Sequence, residues 1–210
     1  MKKSNLPYNV LLSIIFIHVV YFMLSIIFGG IYTLDSPEYI YTAANLLQNG
    51  ISYAGNLVVE NPTPDLYSLR PPGYGIFILC CSFFSKNHYF ILFIQNVFSI
   101  AILFSVYKFL HHKISYSNGL ILFWIGLIFF PVYFILVNMI MADAPLAFVL
   151  VLALYSLQKY LERNHLGYIF LFNLLLGLSV LIKPVMMYFW IPNLCFQYIY
   201  ISGLHLRRSF

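Results

Sequence analysis

Long apolar stretches constrain this chain more than any other feature of its sequence. A helix needs about 20 mostly apolar residues to cross the hydrocarbon core of a membrane, and six stretches meet or approach that length. With 62% hydrophobic and 8% charged residues, the composition excludes a soluble globule, in which about a quarter of residues are charged. The sequence therefore predicts a single all-α, polytopic transmembrane helical bundle over residues 1–210, with spans at about 9–31, 88–110, 118–137, 144–160, 166–182 and 185–201.

The basic residues sort by loop, and this predicts the orientation of the bundle. They precede the first span and follow the second, fourth and sixth, at Lys2, Lys3, Lys108, Lys113, Lys159, Arg163, Arg207 and Arg208. Because cytoplasmic loops carry an excess of Lys and Arg, both termini of this multi-pass cell-membrane protein are predicted to be cytoplasmic. This placement explains the net charge of +5 without nucleic acid as a partner. A cleaved signal peptide is the alternative for the first stretch, but its apolar run is longer than the roughly 7–15 residues of a signal sequence.

Apart from Glu162, which lies on the inner side, the remaining charged residues are predicted to lie on the opposite, outer side. Asp35 and Glu38 follow the first span, and Arg70 lies in a long outer loop over residues 32–87. Asp143 precedes the fourth span and Lys183 follows the fifth. A charge beside hydrocarbon is costly unless it is paired. These residues therefore predict a site for a charged or polar ligand at the outer face.

Two short helices are predicted within the outer loop. Asp35 or Ser36 can cap the first, which should run to about Gln48, stop at Asn49-Gly50 and lie in the membrane interface. A second apolar segment over residues 74–84 follows two prolines and is too short to span the membrane. It is predicted to be a juxtamembrane or re-entrant helix.

Four motifs contain these charged residues. They are Asp35-Ser36-Pro37-Glu38-Tyr39, Arg70-Pro71-Pro72-Gly73-Tyr74, Met141-Ala142-Asp143-Ala144-Pro145-Leu146 and Gly177-Leu178-Ser179-Val180-Leu181-Ile182-Lys183-Pro184. Together they resemble the amino-terminal part of GT-C glycosyltransferases, in the branch that contains protein O-mannosyltransferases and the lipid A aminoarabinose transferase. The resemblance covers roughly residues 9–195 and implies a cell-envelope enzyme. Such an enzyme transfers a sugar from a polyprenyl-phosphate carrier to a lipid, glycan or protein acceptor at the outer face, with inversion at the sugar carbon.

The resemblance also implies roles for individual residues. Asp35 matches the acid of the first loop, which acts as general base or stabilises charge on the sugar. Asp143 matches the second acidic site and would position the acceptor or the sugar. Arg70 and Lys183 match the cations expected at the leaving phosphate. The motif tyrosines, Tyr39 and Tyr74, are predicted to bind substrate.

The chain departs from the family pattern in two respects. Members often have Glu directly after the first Asp, whereas here Ser36 follows Asp35 and the acid is Glu38. One helical turn separates Asp35 from Glu38, and such a pair would share a proton or attract a divalent cation, so a metal cofactor stays open. Members also carry more spans, so the chain is expected to be an amino-terminal part of a longer enzyme.

Simpler roles and other functions compete with this hypothesis. Asp35 could serve only as a helix cap, while Arg70 could anchor at headgroups and Lys183 could snorkel to the interface. At the level of the whole chain, a membrane transporter or lipid flippase and an inactive, truncated transferase acting as an assembly subunit are the alternatives. A transporter is disfavoured because the sequence has no visible internal repeat and its charges lie at one face.

Overall fold

The computed structural model describes residues 6–57, 63–68, 70–113, 116–189 and 193. Within these ranges the chain forms helices and no strand, which confirms the predicted all-α class. A 3-10 helix, Pro184–Phe189, follows nine α-helices: α1 (Leu6–Phe28), α2 (Ser36–Asn49), α3 (Asp65–Ser68), α4 (Pro72–Ser82), α5 (His88–Lys113), α6 (Tyr116–Phe129), α7 (Pro131–Val137), α8 (Asp143–Arg163) and α9 (Leu166–Ile182).

Three helices in the described part of the chain are long and apolar enough to cross a membrane by themselves. They are Tyr8–Phe28, His88–Leu110 and Asp143–Arg163, in α1, α5 and α8. The apolar window of α1 has a mean hydropathy of 2.7, yet only 17% of it is buried inside the protein. Exposed apolar surface on this scale matches a lipid environment. The chain is therefore an all-helical membrane protein.

The other predicted spans differ in their outcome. The stretch predicted at 118–137 divides into α6 and α7, because Pro131 has no backbone N–H and begins a new helix. The stretch at 166–182 forms α9, which is shorter than a usual span. The stretch at 185–201 starts within the 3-10 helix, and most of it lies outside the described residues. The total of six spans therefore stays a prediction.

Tight turns bring distant parts of the sequence to one end of the bundle. α8 and α9 pack against each other as a hairpin closed by Asn164, which adopts the left-handed conformation (φ 50°). At the other end of the hairpin, Asp143 and Lys183 meet. The backbone N–H of Ile140 donates to the carbonyl of Ile31 at 2.9 Å. We call this the site end, formed by residues 31–36, 138–143 and 182–184.

The segment predicted to be the outer loop, residues 32–87, packs on the site end through α2 and α4. α2 runs from Ser36 to Asn49 with Pro37 in its first turn, and Gly50 ends it in the left-handed conformation (φ 66°). These bounds agree with the sequence prediction. α4 covers most of the predicted segment 74–84. A buried apolar cluster under the site end joins α2, α4, α5, α9 and the turn before α8; it contains Ile31, Tyr39, Ala43, Tyr74, Ile78, Cys81, Ile91, Leu92, Ile140, Ala142 and Ile182.

Candidate functional site

Arg70 joins the two carboxylates of the first predicted motif. Its Nη2 lies 2.8 Å from Oδ1 of Asp35, and its Nε donates to Oε2 of Glu38 at 2.5 Å. The Arg70 side chain is 24% exposed and the Glu38 side chain is 29% exposed, so both are largely buried. Burial opposes the charge, but the hydrogen bond to Glu38 and the nearby acids more than offset it, so the pKa of Arg70 is raised. Arg70 is therefore held charged and oriented.

Asp143 and Lys183 form the second ion pair of the site. Lys183 Nζ donates to Asp143 Oδ1 at 2.7 Å across the mouth of the α8–α9 hairpin. The other carboxylate oxygen, Oδ2, is buried and has no hydrogen-bond partner among the described residues. Asp143 also lines a mostly apolar cavity of about 260 Å³ between α7 and α8. The site thus contains a carboxylate oxygen that can accept a hydrogen bond from a bound hydroxyl group.

Two buried tyrosines lie between the ion pairs. The Arg70 guanidinium lies over the Tyr39 ring at 5.3 Å, and this ring meets the ring of Tyr74 edge-on at 4.8 Å. Burial raises the pKa of Tyr39, with Arg70 opposing the rise and the acids Asp35, Asp143 and Glu38 adding to it. Charges from both ion pairs therefore act on one phenol, which places Tyr39 within reach of both halves of the site.

Two glycines at the start of α4 allow this helix to pack closely against α9 and α2. A Cβ atom on Gly73 would lie 2.5 Å from the carbonyl oxygen of Leu181 and 2.9 Å from the backbone nitrogen of Ile182. A Cβ on Gly75 would lie 2.7 Å from the Thr42 side chain. The first contact seats α4 against the end of α9, beside Lys183, and the second seats it against α2. The Arg-Pro-Pro-Gly-Tyr-Gly sequence thus supplies both the cation and the close packing around it.

The structure gathers all seven predicted site residues, three within the site end and four in the adjoining segments around α2 and α4, but the tyrosines are not accessible. Tyr39 is 4% exposed and Tyr74 is 0% exposed, so direct contact with a substrate would require rearrangement. Asp35 occupies the N-cap position of α2 without any side-chain capping bond. A capping role alone therefore does not account for its side chain, which pairs with Arg70 instead. Lys183 likewise pairs with Asp143 rather than only reaching the interface.

Asp35 and Glu38, for which the sequence predicted a shared proton or an attracted divalent cation, both pair with Arg70 in the structure. Among the described residues, no group of three or more His, Cys, Asp or Glu side chains is arranged to hold a metal ion. Arg70 thus compensates the charge of the two carboxylates electrostatically.

Two further residues support the site through hydrogen bonds that the sequence did not predict. Ser36 donates its hydroxyl to the carbonyl of Ile140 at 2.9 Å, linking the first motif to the turn before Asp143. Gln95 lies fully buried in α5 and bonds both Tyr74 and that same turn. The signal for Gln95 was present, because a polar side chain inside an apolar span usually faces the bundle interior and has a specific partner. The partner itself could not be read from the sequence.

Comparison with known proteins gives one family. The family model described as dolichyl-phosphate-mannose-protein mannosyltransferase matches residues 70–210. The match begins at Arg70 and includes Asp143 and Lys183, while Asp35 and Glu38 precede it. No curated protein and no solved structure gives a match.

Proposed function

Since this chain belongs to the dolichyl-phosphate-mannose-protein mannosyltransferase family, a family of membrane glycosyltransferases, we propose that it transfers a sugar from a polyprenyl-phosphate carrier to an acceptor at the outer face of the membrane. The observation that carries the proposal is the pairing of Arg70 with Asp35 and Glu38 beside the pair of Lys183 with Asp143. This arrangement combines the two kinds of group that the reaction needs: carboxylates for a hydroxyl nucleophile and cations for a phosphate leaving group.

The proposed reaction is a single displacement with inversion. The acceptor hydroxyl attacks the anomeric carbon and loses its proton to Asp35, while the bond from that carbon to the carrier phosphate oxygen breaks. The phosphate leaves with the bonding electrons. Arg70 and Lys183 stabilise its added negative charge through charge-assisted hydrogen bonds. All atoms and charges are accounted for without a redox step or a metal.

Asp143 has the task of orienting a hydroxyl group. Its Oδ1 is held by Lys183, whereas the buried Oδ2 lacks a partner in the described part of the protein. A buried acceptor left unpaired costs about 1–3 kcal/mol, and a hydroxyl from the sugar or the acceptor would relieve this cost after a rearrangement that exposes Oδ2. We propose that binding of substrate supplies the missing donor.

Orientation follows from the distribution of cations. Lys159 and Arg163 lie near the end of α8 that is opposite Asp143. The positive-inside rule puts that end in the cytoplasm, which would put the site end outside, with multi-pass topology and cytoplasmic termini.

Replacing Asp35 by Asn tests the proposed base. We expect turnover to fall about 100-fold or more, because Asn cannot accept the proton in the transition state. The loss of stability should be small, since the Asp35 carboxylate is 43% exposed and partly exposed ion pairs contribute about 0–1 kcal/mol. The measurement is transfer of radiolabelled sugar from polyprenyl-phosphate mannose by purified protein in vesicles.

Glu162→Gln is the matched control, because it breaks an ion pair with Lys159 at the opposite end of the bundle. It should leave transfer unchanged. Near-normal turnover by Asp35→Asn would contradict the role of Asp35. Absence of transfer by the wild-type protein from polyprenyl-phosphate donors carrying mannose or other sugars would contradict the proposed function itself.

A further inference from the structure

The turn between α7 and α8 has carbonyl groups that its own backbone does not satisfy. The last carbonyls of a helix have no partner within it, and a carbonyl that is buried inside the protein without a partner is costly. Here Gln95 Nε2 donates to the carbonyls of Val137 and Met139, each at 2.8 Å. The turn leads directly into Asp143. One side chain from α5 therefore holds the backbone that precedes a proposed site residue.

The third hydrogen bond of Gln95 reaches the other half of the site. Its Oε1 accepts from the Tyr74 hydroxyl at 2.5 Å. The amide orientation is fixed by these partners, since the reverse orientation would point its oxygen at two carbonyl oxygens. Tyr74 meets the Tyr39 ring, which lies under Arg70. A continuous series of contacts thus runs from the turn before Asp143 to the Arg70 ion pairs.

We propose that Gln95 is a positioning residue that fixes Asp143 relative to Arg70 by joining the α7–α8 turn to Tyr74. The proposal rests on the transferase function proposed above. Gln95 is 0% exposed and bonds Tyr74 and the α7–α8 turn, so it acts through other residues and does not touch substrate. Both halves of the site must be held in register, since a misplacement of about 1 Å can cost about 100-fold in rate.

The test replaces Gln95 by Met, which has similar length and no amide. Ser99→Ala is the matched control on the same helix: Ser99 is also fully buried, and its two hydrogen bonds, to His18 and Tyr133, involve neither the α7–α8 turn nor a proposed site residue. Tyr74→Phe is a milder variant that removes only the hydroxyl and keeps the ring. Two quantities are measured: turnover per folded molecule at saturating polyprenyl-phosphate mannose, and hydrogen–deuterium exchange of the backbone amides in residues 138–142.

For Gln95→Met we expect turnover to fall about 100-fold and the amides of the turn to exchange at least about tenfold faster, as local opening becomes easier. The KM for the donor should change less than turnover. Tyr74→Phe should give a smaller effect in the same direction, and Ser99→Ala should give neither effect. If Gln95→Met does not fold, the turnover and the amide exchange of Tyr74→Phe alone test the proposal.

Two results would overturn the proposal. One is that Gln95→Met and Ser99→Ala lower the folded fraction alike and leave turnover per folded molecule unchanged, as a purely structural role requires. The other is faster exchange of the turn with normal turnover. If the wild-type protein transfers no sugar, the proposed function fails, and unchanged exchange in Gln95→Met would then separately refute the link to the turn.

Discussion

Replacing Gly73 by Ala tests whether close packing of α4 on α9 assembles the site. The added Cβ would lie 2.5 Å from the Leu181 carbonyl oxygen and 2.6 Å from its carbon, where ordinary contacts begin at 3.4 Å. The neighbours are backbone atoms, so a side-chain rotation cannot relieve the overlap. One helix must move by about 0.9 Å, taken as the difference between 3.4 and 2.5 Å.

Two opposing effects determine how Gly73→Ala changes the free energy of unfolding. Ala gains up to about 1 kcal/mol over Gly in a helix interior, and less in the first turn where Gly73 lies. Overpacking a well-packed contact costs about 1–3 kcal/mol. We therefore expect a net loss of about 1–2 kcal/mol. The shift of α4 carries Arg70 with it, so turnover should fall about 100-fold.

The assay compares Gly73→Ala with Gly126→Ala by thermal unfolding in detergent and by transfer from polyprenyl-phosphate mannose. Gly126 lies in α6, and a Cβ there would have no atom within 4 Å. Its substitution should leave stability equal or slightly higher and turnover unchanged. Equal behaviour of the two variants would refute the inference that the contact with Leu181 holds Arg70 in place.

Two further predictions concern the second ion pair and the orientation of the bundle. Lys183→Ala should raise the KM for polyprenyl-phosphate mannose about 10- to 100-fold, because a charge-assisted hydrogen bond to the donor phosphate contributes about 1.5–3 kcal/mol. Steady-state kinetics in vesicles measure this KM. An unchanged KM would mean that Lys183 only neutralises Asp143. Single cysteines at Asn87 and His165, in a background without native cysteines, should react with an impermeant thiol reagent from opposite sides of intact cells, and labelling from the same side would contradict the predicted topology.

The sequence predicted the local features that depend on neighbouring residues. The bounds of α2 followed from Pro37 at its start and Gly50 at its end, and the structure has both in those positions. Prediction from the sequence was less successful where two interactions compete for the same side chain. Asp35 before a proline is typical of a helix cap, yet its carboxylate turns to Arg70 because a guanidinium is a stronger partner than a backbone N–H.

The pairing of the charges could not be predicted, because it depends on packing between residues far apart in the sequence. Thirty-two positions separate Glu38 from Arg70, and forty separate Asp143 from Lys183. The motifs predicted that these residues share one side of the membrane, but not which acid would meet which cation. The close contact of Gly73 with Leu181 is equally invisible in the sequence.

The ion pairs do not prevent the cations from binding a phosphate. A guanidinium has five N–H donors and an ammonium has three. In the structure, Nε and Nη2 of Arg70 face carboxylates, and Lys183 donates one hydrogen bond to Asp143. The carboxylates can therefore fix the direction of each cation while other donors serve a ligand. Arg70 suits this double task better than Lys would, since its planar fork keeps the donors at fixed angles. The three acids outnumber the two cations, so the empty site has a net charge of about −1 when all five groups are ionised. An excess of negative charge favours the positive character that develops on the sugar carbon as the phosphate leaves.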